Sequence, residues 1–210
     1  MPEKKKFFEI ELPILKQKIN LLATSEANLV GRTIKLDLTR RLRGKSVEAI
    51  FKILQEQGKV KAVPYRLHIL GYFIRRMMRK SVNYVEDSFS SECENAVLRI
   101  KPFLITRKKV ARKVRKALRN KAKEEIEKDI RNQKTEDIFS EIIAGKFTRN
   151  LSLKLKKVYP LAFCDIRDIY VETSKLLKDK SNFDSAQKFE VVKISDKEKP
   201  QVIILEEKIK

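Results

Sequence analysis

Apolar residues recur at every fourth position through residues 110–130, and this spacing constrains the fold more than any other pattern in the chain. The repeated positions are Val110, Val114, Leu118, Ala122, Ile126 and Ile130. A period near four places these side chains along one face of an α-helix, and such a helix is stabilised mainly by burying that face. We therefore predict one long helix over residues 108–131, packed by its apolar face onto the rest of the protein.

The first half of this predicted helix carries an unusual charge. From Arg99 to Lys121 the chain has eleven Lys or Arg residues and no Asp or Glu. Cations in the first turn also oppose the helix dipole, which is a cost that a neighbouring anion would offset. Taken alone, the run leaves two interpretations open, a solvated helix face or a surface that binds phosphates.

The distribution of charge along the whole chain favours the second interpretation. The formal net charge is +21, yet residues 1–28 hold five Lys against four acids and residues 178–210 hold eight Lys against seven. Residues 29–177 therefore carry +19 of the total. We predict an N-terminal arm over 1–28, a basic α+β core over 29–177 and a near-neutral C-terminal tail over 178–210. A basic core points to nucleic acid more specifically than a basic tail does.

The remaining patterns predict a mixed α+β fold with a mostly antiparallel sheet. Alternating apolar and polar residues predict strands over 3–12, 29–38, 47–55, 60–63 and 163–173. A helix is the alternative for residues 46–56. Residues 82–90 and 96–106 predict a hairpin with a polar loop at 91–95. Pro64 is expected to end its segment, and Pro102 predicts an edge strand or a bulge. Further helices are predicted over 69–80, 135–144 and 147–158, and strand-forming segments over 189–194 and 202–205.

The residues that catalysis or metal binding would need are scarce. The chain has a single histidine, His68, and its five glycines form no phosphate-binding loop or dinucleotide fingerprint. Cys93 and Cys164 are too few for a metal cluster or a disulfide framework, which predicts reduced cysteines in the cytosol. We predict no enzymatic activity, no metal and no cofactor. The absence of Trp and of any Lys-rich helix with an aromatic face argues against a membrane partner.

Phosphate binding is the chemistry that the residues favour. Arg suits bidentate contacts with phosphate, and Lys neutralises it as a point charge. The candidate contacts lie in three clusters together with one strand residue: Arg32; Arg40, Arg41, Arg43 and Lys45; Arg75, Arg76, Arg79 and Lys80; Arg107, Lys108, Lys109, Arg112, Lys113, Arg115, Lys116 and Arg119. Base stacking on Tyr65, Tyr72 or Tyr84 is an alternative to their burial, and burial is the default expectation.

Several short motifs occur in an order that resembles a known family. They are, in chain order, LVGRTI at 29–34, IRRMMRK at 74–80, the strand ending at Arg107, ARKVRK at 111–116, FSEIIAGK at 139–146, KVYPL at 157–161 and DIRDIYV at 165–171. Over about residues 7–177 this order resembles the archaeal and eukaryotic small-subunit ribosomal protein family S3Ae, also called eS1.

The resemblance implies a structural constituent of the small ribosomal subunit, cytoplasmic and without catalytic activity. It would bind rRNA on the platform, near the mRNA exit and the 3′ end of the small-subunit rRNA. Neighbouring platform proteins are implied partners, with mRNA near the exit as a further one and no membrane. The implied fold is a β-barrel-like sheet with helices around it. Charge alone leaves two alternatives open, a free RNA-binding chaperone or translation factor, and an RNA-processing enzyme.

Overall fold

The computed structural model describes residues 5–42, 44–56 and 59–174, which form a nine-stranded sheet and four α-helices. The strands are β1 Lys6–Leu12, β2 Gln17–Ala23, β3 Thr33–Asp37, β4 Val47–Glu56, β5 Lys59–Ile69, β6 Tyr84–Glu86, β7 Phe89–Glu92, β8 Ala96–Thr106 and β9 Leu161–Ser174. The helices are α1 Gly71–Met77, α2 Arg112–Ile130, α3 Thr135–Ala144 and α4 Lys146–Lys156. The strand-forming segments predicted at 189–194 and 202–205 lie outside the described residues.

The sheet is largely antiparallel. Strands β3, β4 and β5 pair in sequence, β5 pairs with β9, β9 with β8, and β8 with both β6 and β7. The β1–β2 hairpin joins β5 through a parallel contact at Glu11 and Lys61. The predicted α+β class is thus confirmed, and residues 47–55 form a strand rather than the rival helix. The sheet is not closed within the described residues, so the barrel-like closure that we expected is not shown.

Both prolines singled out in the sequence lie inside strands, at irregular positions. Pro102 lies where the β8–β9 register shifts, as the bulge prediction required, but β8 is paired on both sides and is not an edge strand. Pro64 does not end its segment, because β5 continues to Ile69. Its partner Phe51 lies at the register shift in β4, where a residue without an N–H group disturbs the ladder least.

The predicted hairpin over 82–106 is present, with its first arm divided. Strands β6 and β7 both pair with β8, and residues 87–88 separate them. At this interruption Asp87 Oδ1 accepts the Ser88 backbone N–H at 2.9 Å, and the Asp87 backbone N–H donates to the Pro102 carbonyl at 3.3 Å. The polar loop is shorter than predicted, since Ser91 and Glu92 pair with Leu98 and Val97.

Helix α2 buries the last four positions of the four-residue repeat as predicted, but it begins at Arg112 instead of residue 108, so Val110 precedes the helix and Val114 is half-buried. Leu118, Ala122, Ile126 and Ile130 are all at most 1% exposed. Side chains hold the preceding residues outside the helix: Asn83 Oδ1 accepts the Val110 N–H at 2.7 Å, and the Thr106 hydroxyl donates to the Lys108 carbonyl at 2.7 Å. Helix α2 packs on α4 and on strands β6 and β7.

Gly145 forms the junction between α3 and α4, and its backbone is in the left-handed region with φ of 73°. A Cβ at this position would meet no atom within 4 Å, so the cost of a side chain comes from the backbone alone. We expect Gly145→Ala to lower the free energy of unfolding by about 1 kcal/mol, as measured by urea denaturation. An unchanged midpoint would show that the junction can relax out of this conformation at no cost.

Candidate nucleic-acid interface

Three of the eleven cations between Arg99 and Lys121 have carboxylate partners. Arg99 Nε lies 3.5 Å from Glu172, and Lys101 Nζ lies 3.4 Å from Asp168. Lys121 Nζ lies 3.3 Å from Glu124 and 3.0 Å from Glu125, one helical turn further along α2. The folded chain therefore neutralises both ends of the carboxylate-free run.

The other eight cations form what we call the α2 cluster: Arg107, Lys108, Lys109, Arg112, Lys113, Arg115, Lys116 and Arg119. Within the part of the chain that the structure describes, none of them lies within ion-pair distance of a carboxylate. All are exposed except Arg115, which is half-buried. The start of α2 has no acidic residue in its first turn and no side-chain cap. The uncompensated charge predicted from sequence is therefore a surface of the folded protein.

The second half of α2 differs from the first because its charges are matched. Lys123 Nζ lies 3.8 Å from Glu127, and Lys154 of α4 lies 2.7 Å from Asp129 and 3.2 Å from Glu125. The hydrogen bond from Lys121 is the main cause that holds the pKa of Glu125 below its ordinary value. The hydrogen bond from Lys154 acts in the same direction. The helix thus has a cationic end and a neutral end.

The loop between β3 and β4 carries the second group of predicted contacts, which we call the loop cluster: Arg40, Arg41 and Lys45. Arg43, predicted with them, lies outside the described residues. Arg40 and Arg41 are exposed, and Arg41 Nη1 donates to the Leu15 carbonyl at 3.0 Å. Lys45 forms an ion pair with the buried Asp165, so its ammonium also holds the loop to β9. Arg32, predicted singly, is exposed and donates to the Leu22 carbonyl at 3.3 Å.

The third group, the α1 cluster, contains Arg75, Arg76, Arg79 and Lys80, which are all exposed. A cleft of about 470 Å³ brings Arg76 and Arg79 together with Arg107 of the α2 cluster. Its walls include the apolar side chains of Met77, Val82, Ile105 and Phe163. Two runs that lie about thirty residues apart in sequence therefore meet at one cleft, and the α1 and α2 clusters form one continuous surface.

A second cavity, the junction cavity, brings cations to the loop cluster that the sequence analysis missed. Its volume is about 680 Å³, and Arg41 and Lys45 line it opposite Lys146 and Arg149 of α4. Lys146 and Arg149 do not belong to a dense basic run. The available signal was their spacing, since residues three apart share a helix face directly after the Gly145 junction.

The third cavity, of about 780 Å³, has both charge signs on its walls. Arg119 of α2 lines it with Lys101, another cation of the carboxylate-free run, and with Arg66 and Arg167, which the sequence analysis missed. Buried Asp168 lies at its base and accepts two hydrogen bonds from Arg66, at 2.8 and 2.7 Å. Burial alone would raise the pKa of Asp168, but the hydrogen bonds from Arg66 and the charges of His68 and Lys101 hold it below its usual value.

His68 lies beside this network and also lines the third cavity. Its Nδ1 atom lies 3.6 Å from Asp168 Oδ1, too far for a good hydrogen bond. In contrast to Asp168, the other buried carboxyl, Asp165, has a raised pKa because burial outweighs the Lys45 ammonium. Burial also raises the pKa of the Cys164 thiol to about 12, which keeps it protonated and unreactive at neutral pH.

Within the described residues, no three His, Cys, Asp or Glu side chains are grouped so that they could hold a metal ion. None of the helices in this part of the chain has the length and apolar character needed to cross a bilayer.

The fold and its surface define a mixed α+β protein with an open antiparallel sheet and an uncompensated cationic face. Comparison with known proteins makes this class more specific. A family model described as the Ribosomal S3Ae family matches residues 2–178. The chain also resembles the small ribosomal subunit protein eS1 of Nanoarchaeum equitans (strain Kin4-M), with 25% identity over 178 residues that cover 81% of this chain and 90% of the relative. The chain belongs to the Ribosomal S3Ae family, as its motif order predicted.

Proposed function

We propose that the protein is a structural constituent of the small ribosomal subunit and binds rRNA through the loop, α1 and α2 clusters, with Arg32 beside them. The observation that carries this proposal is the α2 cluster, whose eight cations have no carboxylate partner among the described residues. Like charges at this density repel one another, and a phosphate backbone removes that cost while gaining the free energy of counterion release.

Membership of the Ribosomal S3Ae family supports a structural ribosomal role, and the matched relative is named as a small-subunit protein. The finer placement is on the platform, near the mRNA exit and the 3′ end of the small-subunit rRNA. Partners are rRNA, neighbouring platform proteins and mRNA near the exit, and the location is the ribosome in the cytoplasm. Ribosomal structural proteins are generally not enzymes, and we propose no catalytic activity for this chain.

Sedimentation of the endogenous protein tests this proposal. In a sucrose gradient of gently lysed cells, we expect the full chain to migrate with small subunits in a one-to-one ratio. Moderately high salt should not release it, because packed contacts with rRNA and neighbouring proteins add to the salt-sensitive phosphate contacts. Quantitative immunoblotting against a known small-subunit protein gives the ratio.

Two other outcomes would contradict the proposal. Protein found only in ribosome-free fractions would exclude a structural role. Protein present below a one-to-one ratio and released by moderate salt would instead indicate a chaperone or factor that cycles on and off. The isolated chain should in each case be tested with small-subunit rRNA and with unrelated RNAs, because a chaperone would not distinguish them.

A further inference from the structure

Tyr72 is the one tyrosine in the described part of the chain whose ring is mainly exposed, and it lies between two cationic clusters. The side chain is 51% exposed, whereas Tyr65, Tyr84, Tyr159 and Tyr170 are half-buried. Tyr84 is stacked on Phe103. The cationic groups of Arg66 and Lys101 lie 5.5 and 5.6 Å from the ring centre of Tyr170. Tyr72 is therefore the most exposed of the five tyrosines, all of which lie in the described residues.

The hydroxyl of Tyr72 connects its ring to the loop cluster. Its Oη lies 2.6 Å from Ser46 Oγ, and Ser46 is 3% exposed, so the tip of the ring is anchored to a fixed point of the fold. Ser46 directly follows Lys45, which lines the junction cavity with Arg41, Lys146 and Arg149. An anchored ring has little conformational freedom left to lose when a ligand stacks on it.

The other side of Tyr72 is flanked by the α1 cluster. In α1, Arg75 and Arg76 follow Tyr72 by three and four residues, which places them on the same side of the helix. The Arg75 side chain runs back along α1, since its Nη1 atom would lie 3.7 Å from a Cβ at Gly71. The Arg76 guanidinium lies over the Phe73 ring, 5.4 Å from its centre, and so stacks on Phe73 instead of Tyr72.

We infer that Tyr72 stacks on an unpaired base of the bound RNA, while the loop and α1 clusters contact the phosphates on either side of that nucleotide. A paired base inside an A-form helix presents no free face, so an anchored ring between two phosphate-binding clusters fits an unpaired base in a bulge or loop. Stacking needs no hydrogen-bonding pattern, and the site therefore accepts any base. This inference rests on the proposed function and adds to it a preference for one structural feature of RNA.

The test compares two RNA hairpins, each closed by a non-nucleotide linker in place of the apical loop, that differ only by one unpaired adenosine in the stem. We expect the full-length protein to bind the bulged hairpin on the order of tenfold more tightly than the uninterrupted one. Tyr72→Ala should abolish this preference by lowering the affinity for the bulged hairpin. Tyr72→Phe, which keeps the ring and loses the bond to Ser46, should retain most of it. A fluorescent adenine analogue in the bulge should be quenched by the wild-type protein and not by Tyr72→Ala.

Phe7→Ala supplies a matched control, because Phe7 is an aromatic residue with 74% exposure outside the three clusters. It should leave the preference unchanged, and thermal melts should show that all three variants fold. Equal binding of the two hairpins by the wild-type protein, or a preference that survives in Tyr72→Ala, would overturn the inference and leave the proposed function standing. Failure to bind either hairpin would count against the proposed function itself.

Discussion

Reversing four charges of the α2 cluster should weaken binding to small-subunit rRNA by on the order of ten-thousandfold at about 0.1 M salt. The changes are Lys109→Glu, Arg112→Glu, Lys113→Glu and Lys116→Glu, at exposed positions without carboxylate partners among the described residues. Each phosphate contact contributes nearly one unit to the slope of log K against log salt, so each is worth about tenfold at that concentration. Filter binding over a salt series would measure both the affinity and the slope.

The same variant should fold at least as stably as the wild type. Glu at Arg112 and Lys113 would place acids in the first turn of α2, where they interact favourably with the helix dipole. We therefore expect an unchanged or slightly higher Tm together with the loss of RNA affinity. Lower Tm and lower affinity together would mean that damage to the fold accounts for the binding result.

A charge-matched control separates position from net charge. Lys5→Glu, Lys6→Glu, Lys128→Glu and Lys134→Glu alter exposed side chains outside the three clusters by the same total charge. This control should lose much less affinity and keep most of the salt slope. Equal losses in the two variants would show that RNA responds to the total charge of the protein. No loss in either would make the cationic half of α2 a solvated helix face.

The replacement Asp168→Asn should lower the free energy of unfolding by about 2–3 kcal/mol. It removes a negative charge that accepts two hydrogen bonds from Arg66 and lies 3.4 Å from the Lys101 ammonium. The Arg66 and Lys101 side chains are 37% and 33% exposed, so water can partly replace the lost carboxylate, and the loss falls below that of a fully buried pair. Urea denaturation at neutral pH would measure it, with a decrease in Tm of about 4–12 °C.

The difference between the two proteins should depend on pH. Because Asp168 has a lowered pKa in the folded protein, its stabilisation is complete above the ordinary aspartate pKa of the unfolded chain and is lost as the pH falls through the folded value. The wild type and Asp168→Asn should therefore converge in stability as the pH falls below about 4. A difference that stayed constant in acid would show that the side chain acts through its shape and not its charge.

Glu124→Gln is the matched control for Asp168→Asn. It removes a carboxylate whose side chain is 58% exposed and which pairs with Lys121 on the helix surface. We expect a change of at most about 0.5 kcal/mol, because exposed pairs of this kind contribute little. A large effect at Glu124 would mean that surface pairs on α2 carry more of the stability than burial predicts.

Local periodicity predicted most elements of the fold. The helix over α2, the hairpin containing β8 and the strand at β9 all follow from spacings of four or two residues, which backbone geometry ties directly to secondary structure. The boundary at Arg112 could not be predicted in this way, because Asn83 and Thr106 hold residues 108 and 110 through contacts from outside the helix. The path of β5 beyond Pro64 depended in the same way on the irregularity in β4.

The sequence alone determined that residues 29–177 are strongly cationic, that the surplus is greatest between residues 99 and 121, and that the fold mixes helices with antiparallel strands. Only the tertiary structure decided which of these cations remain uncompensated. Lys101 is neutralised by Asp168, which lies 67 residues away in sequence, because β8 and β9 pair in one particular register. Charge can be counted along a chain, but its neutralisation depends on which strands and helices pack together, and that choice is made by non-local contacts.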